Sequence, residues 1–224
     1  TQGNDENFVY SNKINLIIKK IDNNIVYGQS IVAGNKRTIR GTIEVKNDSF
    51  KLHLNEPGNS KHDGKFEFTI KNGLLSGKWI ALDTKASVLT RNYELTKVEF
   101  KYNPNLMLPK DRDYIDYYSL KIDSTKETID EVEETYYDEY YRTASTVITK
   151  VNSSTTLLKE EDVKNLKKLE LEILRNTIFA RHGYSFKKKS YRQFFDPVDW
   201  YIPISENVTG ELTPIEKLNI NLLE

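Results

Sequence analysis

The sequence predicts an α+β protein in which an antiparallel, barrel-like β-meander precedes a small helical domain. Apolar and polar residues alternate up to about residue 102, turn residues separate these runs, and the apolar period becomes helical from about residue 157. The domain limits that follow are 8–102 for the β domain, 103–156 for an irregular connector and 157–224 for the helical domain.

The strands of the β domain are predicted from alternation with period two and from the turns between them. Turn signals such as Asn23-Asn24 and Asn72-Gly73 separate about eight short runs. A closed antiparallel meander accounts for this spacing, because closure removes exposed sheet edges, and an open sandwich is the alternative. The side chains expected to face inward are Phe50, Leu52, Leu54, Phe66, Phe68 and Trp79.

The sequence of the connector does not favour a single type of secondary structure. It opens with Pro104 and Pro109, and an acidic, Tyr-rich stretch follows over residues 130–141. Glutamates favour a helix there and tyrosines favour a strand, so the pattern leaves both open.

A central helix is predicted for the last third of the chain. Leu174 and Ile178 mark one apolar face, and Leu169 and Ile173 mark another, as expected for a helix at the centre of a small domain. Gly183 should end this helix with a positive φ. A short helix at residues 189–195 and a last helix starting at Pro214, with Thr213 as its N-cap, should follow.

Composition and motifs exclude several functional classes. The chain has 33 basic and 33 acidic residues, so no net positive charge attracts nucleic acid, and it has no cysteine. It lacks a HExxH zinc motif, a nucleophile elbow and a phosphate-binding loop. We therefore expect no catalytic residue, metal site or cofactor. The polar residues 1–7 fit either a cytosolic terminus or a mature chain whose leader has been removed.

The segment 174–186 contains Phe179-Ala180-Arg181-His182-Gly183 and resembles the central motif of the YARHG domain, a small bacterial domain. Phe179 stands where the name-giving Tyr is found, and the resemblance continues through Tyr191 and Trp200 to Glu216. It implies an extracellular location but no established molecular function.

The strand-rich half, at residues 28–35 and 56–58, is similar to the N-terminal part of bacterial envelope lipoproteins. Both resemblances imply a periplasmic or cell-surface protein whose only membrane contact is a lipid anchor upstream of Thr1. The leader and the anchoring cysteine are absent from this sequence.

Six residues are candidates for binding. They are Arg175, Arg181, His182, Tyr184, Trp200 and Tyr201. Arg181 falls on an apolar face of the central helix, so a structural role would require buried partners, either carbonyls or an acid. The acids nearby in sequence are Asp162, Asp196, Asp199 and Glu206. The alternative is an open anion pocket beside Trp200 and Tyr201, whose rings would stack on a sugar or a peptide.

Three functional hypotheses follow. The first is a non-catalytic binding or scaffold protein of the cell envelope or exterior, with a glycan, peptide or protein partner. The second is a cell-wall-directed hydrolase with His182 as its base and an acid such as Asp199 as partner. The third is a barrel-type inhibitor lipoprotein that inserts the loop at residues 32–37 into an enzyme.

Overall fold

In the computed structural model, which describes residues 13–129 and 132–224, each strand of the N-terminal half pairs with the next in antiparallel order. The strands are β1 (Ile14–Asp22), β2 (Ile25–Val32), β3 (Asn35–Lys46), β4 (Ser49–Asn55), β5 (Gly64–Lys71), β6 (Leu74–Ala81) and β7 (Thr90–Thr96). The predicted barrel-like meander is confirmed, but it has seven described strands rather than about eight. Since β1 and β7 do not pair within these residues, the single curled sheet is a half-barrel, and neither a closed barrel nor a sandwich.

Asparagine and glycine form the hairpin turns, as the sequence predicts. Asn23 and Asn24 have φ of 46° and 66°, and Asn72 and Gly73 have φ of 50° and 78°. Two successive residues with positive φ match the right-handed twist of the adjoining strands, which these residue types allow at little steric cost.

The apolar face of the half-barrel contains most of the predicted inward-facing residues. Leu52, Leu54, Phe66 and Phe68 are buried, and Trp79 packs against them while partly exposed. The prediction for Phe50 is wrong, because its side chain is 44% exposed. Phe50 lies at the start of β4, opposite the exposed Val45, where the sheet extends beyond the packed core.

The second compact unit spans Tyr102–Glu224, whereas the first ends at Lys101. Its elements are β8 (Tyr114–Ile129), β9 (Val132–Ala144), a 3-10 helix (Thr146–Thr149), α1 (Glu160–Val163), α2 (Lys168–Arg181), α3 (Lys189–Phe195), a second 3-10 helix (Thr209–Glu211) and α4 (Pro214–Leu222). The predicted helices at residues 189–195 and from Pro214 are confirmed, with the Thr213 side chain capping α4.

The interval 103–156, predicted as an irregular connector, contains the β8–β9 hairpin and belongs to the second unit. From Val132 onward the acidic, Tyr-rich stretch is a strand, so tertiary pairing decides between the two alternatives. Its first two residues, Asp130 and Glu131, lie outside the described residues, as does the polar stretch at residues 1–7. Several of its tyrosines are exposed, including Tyr137.

The helix α2 is the centre of the second unit's core. Ile173 and Leu174 are buried in one cluster with Phe194 and Phe195 of α3. Leu108 and Tyr114 belong to the same cluster, although they precede α2 by more than fifty positions in the sequence. The helical core therefore depends on the segment that leads into the hairpin.

Candidate functional site

The C-terminal part of α2 positions the predicted site residues. The helix begins where the Lys167 N–H donates to the Glu170 carboxylate at 2.7 Å. It ends at Arg181, Gly183 follows with a φ of 72°, and the Tyr184 N–H donates to the Phe179 carbonyl at 3.0 Å. This is the expected glycine stop, and it confirms the prediction for Gly183.

The Arg181 guanidinium is buried and bonded inside the second unit. Its Nε donates to the Leu106 carbonyl at 2.7 Å, and one terminal nitrogen donates to the Ser154 hydroxyl at 2.9 Å. The other terminal nitrogen lies 3.6 Å from the Met107 sulfur. The four acids that the sequence suggested are not its hydrogen-bond partners, because a carbonyl and a hydroxyl take that place.

His182 is joined to Glu216 of α4. The His182 Nε2 lies 2.7 Å from the Glu216 carboxylate, and the Tyr102 ring stacks on the imidazole at a centroid distance of 4.2 Å. The Tyr102 hydroxyl donates to the other Glu216 oxygen at 3.0 Å. The Thr213 N–H also donates to Glu216, at 2.9 Å.

The buried network has a defined charge state at neutral pH. Burial alone would raise the pKa of Glu216, but hydrogen bonds from His182, Ser154 and the Thr213 N–H lower it to about 2. Burial, with the nearby Glu216 charge, raises the pKa of Tyr102 to about 12. Burial lowers the pKa of Arg181 to about 10, against the attraction of Glu216. Glu216 is thus an anion, Arg181 a cation and Tyr102 a neutral phenol.

This network holds segments together. Arg181 binds the residues that lead into the hairpin, and Glu216 joins α4 to the end of α2. Arg181, His182 and Glu216 are buried, and their partners lie inside the same unit. A substrate would therefore find His182 Nε2 occupied by Glu216 and the Arg181 guanidinium buried.

Trp200 and Tyr201 also point inward. Tyr201 is buried, its hydroxyl donates to the Tyr184 carbonyl at 2.7 Å, and burial raises its pKa. The Trp200 indole N–H donates to the Met107 carbonyl at 2.8 Å, and its ring packs against the core. Neither ring is an open stacking surface of the kind expected for a sugar site.

A groove of about 580 Å³ lies beside α2 and includes the two remaining candidates, Arg175 and Tyr184. Asn176 and Phe179 of α2 form part of its wall. The Phe179 and Tyr184 rings lie 5.9 Å apart. We refer to this feature as the α2 groove.

Two buried hydrogen-bond donors of the α2 groove have no partner among the described residues. They are the side-chain nitrogen of Asn176, a residue that is 4% exposed, and Nε of Arg175. A terminal nitrogen of Arg175 makes only a long contact, 3.9 Å, with the Glu224 carboxylate. Such unpaired groups are rare in native interiors and call for an explanation.

The charges around the α2 groove are unequal. Arg175, Lys187 and Lys188 line it, and Glu206 is the acidic residue among its lining side chains. The Glu206 carboxylate already accepts from the Lys187 ammonium at 2.9 Å. The groove therefore has an excess of cations and of donors.

The half-barrel carries a more open depression of about 640 Å³, and there the charges are balanced. Lys51 and Lys78 line it together with Glu67 and Glu94, and the Lys78 ammonium lies 3.3 Å from the Glu67 carboxylate. No cluster of His, Asp or Glu suited to a metal ion occurs in residues 13–129 or 132–224.

Sequence reasoning missed two important residues, Asn176 and Glu216. Asn176 is a polar residue between the buried Leu174 and Ile178 of α2, a position where an apolar residue would be expected. Glu216 stands three positions after Thr213, which is the spacing of a capping box, and that signal could have identified it.

The family model of the YARHG domain matches residues 145–224, behind the strand-rich N-terminal region. The match includes α2, the α2 groove and the Arg181–His182–Glu216 network. No curated protein and no solved structure matches the chain. YARHG domains are typically extracellular or periplasmic. Within the described residues, no helix combines the length and apolar character that crossing a membrane requires.

Proposed function

We propose that this chain is a non-catalytic binding protein of the bacterial cell envelope or exterior, and that the α2 groove holds its partner. The observation that carries the proposal is the pair of unpartnered buried donors on Arg175 and Asn176, two residues that line the groove. Binding sites commonly join apolar walls to a few precisely placed polar groups. A glycan, a peptide or a protein segment would supply the missing acceptors.

The hydrolase alternative has less support. A general base must reach the proton that it removes, either directly or through one water molecule. His182 is buried, its Nε2 contacts Glu216 rather than Asp199, and the Tyr102 ring covers the imidazole.

The inhibitor alternative also has less support. Within residues 32–37, the connection between β2 and β3 is a tight turn at Ala33 and Gly34, with φ of 50° and 80°. Arg37 is paired with Asp63. A segment this short and this firmly attached does not project far enough to enter the cleft of an enzyme.

The location is part of the proposal. The YARHG match supports a site outside the cytoplasm, and we propose a lipoprotein anchored by a cysteine upstream of Thr1. The test is to express the complete gene with a C-terminal epitope and to feed the cells an alkyne fatty acid. Incorporation of the label, together with recovery in the membrane fraction, is expected. Recovery of unlabelled protein from the cytoplasm would refute the proposed lipid anchor and the proposed location.

Binding by the α2 groove is tested with the purified chain and ligand-observed NMR. The probes are soluble cell-wall muropeptides, chito-oligosaccharides and a set of short acetylated peptides. At least one class should bind, and Thr209→Trp at the exposed groove rim should abolish its signal. Lys189→Gln, an exposed change outside the lining residues, is the matched control. Absence of binding at millimolar probe, or equal binding by Thr209→Trp, would contradict the proposal.

A further inference from the structure

The α2 groove is rich in hydrogen-bond donors that are cationic or lack a partner among the described residues. Arg175 Nε and the Asn176 amide nitrogen lack partners, and Lys187 and Lys188 add cationic donors. The Glu206 carboxylate accepts from Lys187, as described, and the Asn207 side-chain oxygen accepts from the Thr209 N–H at 3.0 Å. A matching ligand must therefore supply acceptors, and an anion suits the excess of cations.

Four aromatic side chains also line the groove, and three of them, Phe179, Tyr184 and Tyr191, are partly exposed. Tyr184 and Phe186 meet edge to face at 5.1 Å between centroids. The Lys188 ammonium lies 5.6 Å from the centroid of the Tyr191 ring. Aromatic surface of this kind gains free energy by covering an apolar group. The ligand should therefore carry an apolar group close to its anionic one.

We infer that the α2 groove binds a peptide through a carboxylate that accepts from Arg175 Nε and from the Asn176 amide. An apolar side chain of the same peptide packs against Phe179 and Tyr184. The inference rests on the proposed function, because it names the ligand class for the same groove. Lys187 and Lys188, both exposed, attract the carboxylate to the groove entrance.

Access to the two inner donors requires a small movement of Arg175. Both donor atoms lie beneath the groove surface, and a terminal nitrogen of the Arg175 guanidinium has a long contact with Glu224. That contact, at 3.9 Å and with Glu224 largely exposed, is weak. An incoming carboxylate replaces Glu224 as the partner of Arg175 and gains a bidentate geometry that Glu224 lacks. Glu224→Gln should therefore bind the peptide at least as tightly as the unchanged chain.

The same features disfavour two other ligands. Neutral sugars present hydroxyls that donate as well as accept, whereas the Glu206 carboxylate and the Asn207 amide oxygen already accept from Lys187 and Thr209. Inorganic phosphate would satisfy the donors, but it has no apolar part for the aromatic wall.

The experiment titrates four probes into the purified chain under NMR observation. Acetyl-glycyl-phenylalanine with a free carboxylate is compared with its C-terminal amide, with chitobiose and with inorganic phosphate. We expect the acid to bind at least tenfold more tightly than the amide, about 1.4 kcal/mol, and chitobiose and phosphate to bind weakly or not at all. Equal binding of acid and amide would overturn the inference.

Variants connect the binding to the named atoms. Asn176→Leu and Arg175→Gln should each weaken binding of the acid at least tenfold, whereas Lys189→Gln should not change it. Asn176→Leu should also raise the melting temperature, since it removes an unpaired buried donor. If Asn176 had only a structural role, Asn176→Leu would give the opposite result, which is a lower melting temperature with unchanged binding. If Asn176→Leu does not fold, the loss of binding in Arg175→Gln still tests whether the groove binds the carboxylate.

The outcomes separate this inference from the proposed function. If chitobiose binds and Thr209→Trp abolishes that binding, the groove is a binding site but its ligand is not a peptide carboxylate. If no probe of any class binds, both proposals fail.

Discussion

Arg175 and Arg181 lie on the same helix, yet their guanidinium groups have different surroundings. Arg181 is buried and bonded to the Leu106 carbonyl and the Ser154 hydroxyl, while Arg175 is partly exposed and its Nε has no described partner. The sequence indicated that Arg181 would need internal partners, because it falls on an apolar face of the helix. It did not indicate which partners, since Leu106 is 75 positions away in the chain.

This difference predicts unequal effects on stability. Arg181→Met should lower the free energy of unfolding by about 3 kcal/mol, because it leaves a partly buried carbonyl and a buried hydroxyl without their donor. Arg175→Met, the matched control, should change it by less than about 0.5 kcal/mol. Urea unfolding followed by circular dichroism measures both. Similar values for the two variants would contradict the structural role of Arg181.

Glu216 predicts a specific dependence of stability on pH. Its pKa in the folded chain is about 2, below the ordinary 4.5, so the carboxylate stabilises the fold above pH 4.5. That contribution, about 3 kcal/mol, should disappear as the pH falls from 4.5 to 2. Urea unfolding at several pH values measures the loss.

The control for this prediction is Glu216→Gln, which keeps the shape of the side chain and still accepts from Tyr102. It should be less stable than the unchanged chain at pH 7 and should lose less stability between pH 4.5 and 2. Parallel pH profiles for the two proteins would assign the acid sensitivity to other carboxylates.

At the scale of elements, signals that act within a few residues were readable from the sequence. The asparagine and glycine turns, the Thr213 cap of α4 and the glycine end of α2 depend on local geometry. The segments around residues 103–113 and 145–156 were not readable, because distant partners determine their paths. Asn219, for example, donates to the Ser153 carbonyl from 66 positions away. For the same reason, the sequence did not indicate how Asn176 and Glu216 pack, because their surroundings include residues far away in the chain.

The end of α2 gives a prediction at this scale. Gly183→Ala should lower the free energy of unfolding by about 1 kcal/mol, because alanine is strained at a φ of 72°. Gly210→Ala is the control, since a Cβ atom there would meet no atom within 4 Å. Equal effects in thermal unfolding would show that the left-handed conformation of Gly183 is not the source of the cost.

The half-barrel gives a second prediction at the element scale. Leu54→Ala should cost about 3 kcal/mol, because it opens a cavity beside Phe66, its partner on β5. Phe50→Ala, on the same strand, should cost less than about 1 kcal/mol, because the Phe50 ring is already exposed. If the two costs were reversed, the register of β4 would have to be reassigned.

At the scale of the whole molecule, the stretch matched by the YARHG model is shorter than the compact unit that contains it. The match begins at residue 145, whereas the unit begins at Tyr102. The additional residues are structural partners of the matched stretch. Leu108 and Tyr114 join its core, the Leu106 carbonyl binds Arg181, and the Met107 carbonyl binds Trp200.

This mismatch predicts different behaviour for two fragments. Residues 102–224 expressed alone should unfold in one cooperative thermal transition, because that fragment keeps every partner of Arg181, Trp200 and Glu216 named above. Residues 145–224 should melt at a lower temperature or without cooperativity, because two buried core side chains and both carbonyl partners are missing. Near-ultraviolet circular dichroism reports the loss of aromatic packing directly. Equal melting temperatures for the two fragments would mean that residues 102–144 are an appendage, and that Arg181 finds its stabilising partners inside the matched stretch.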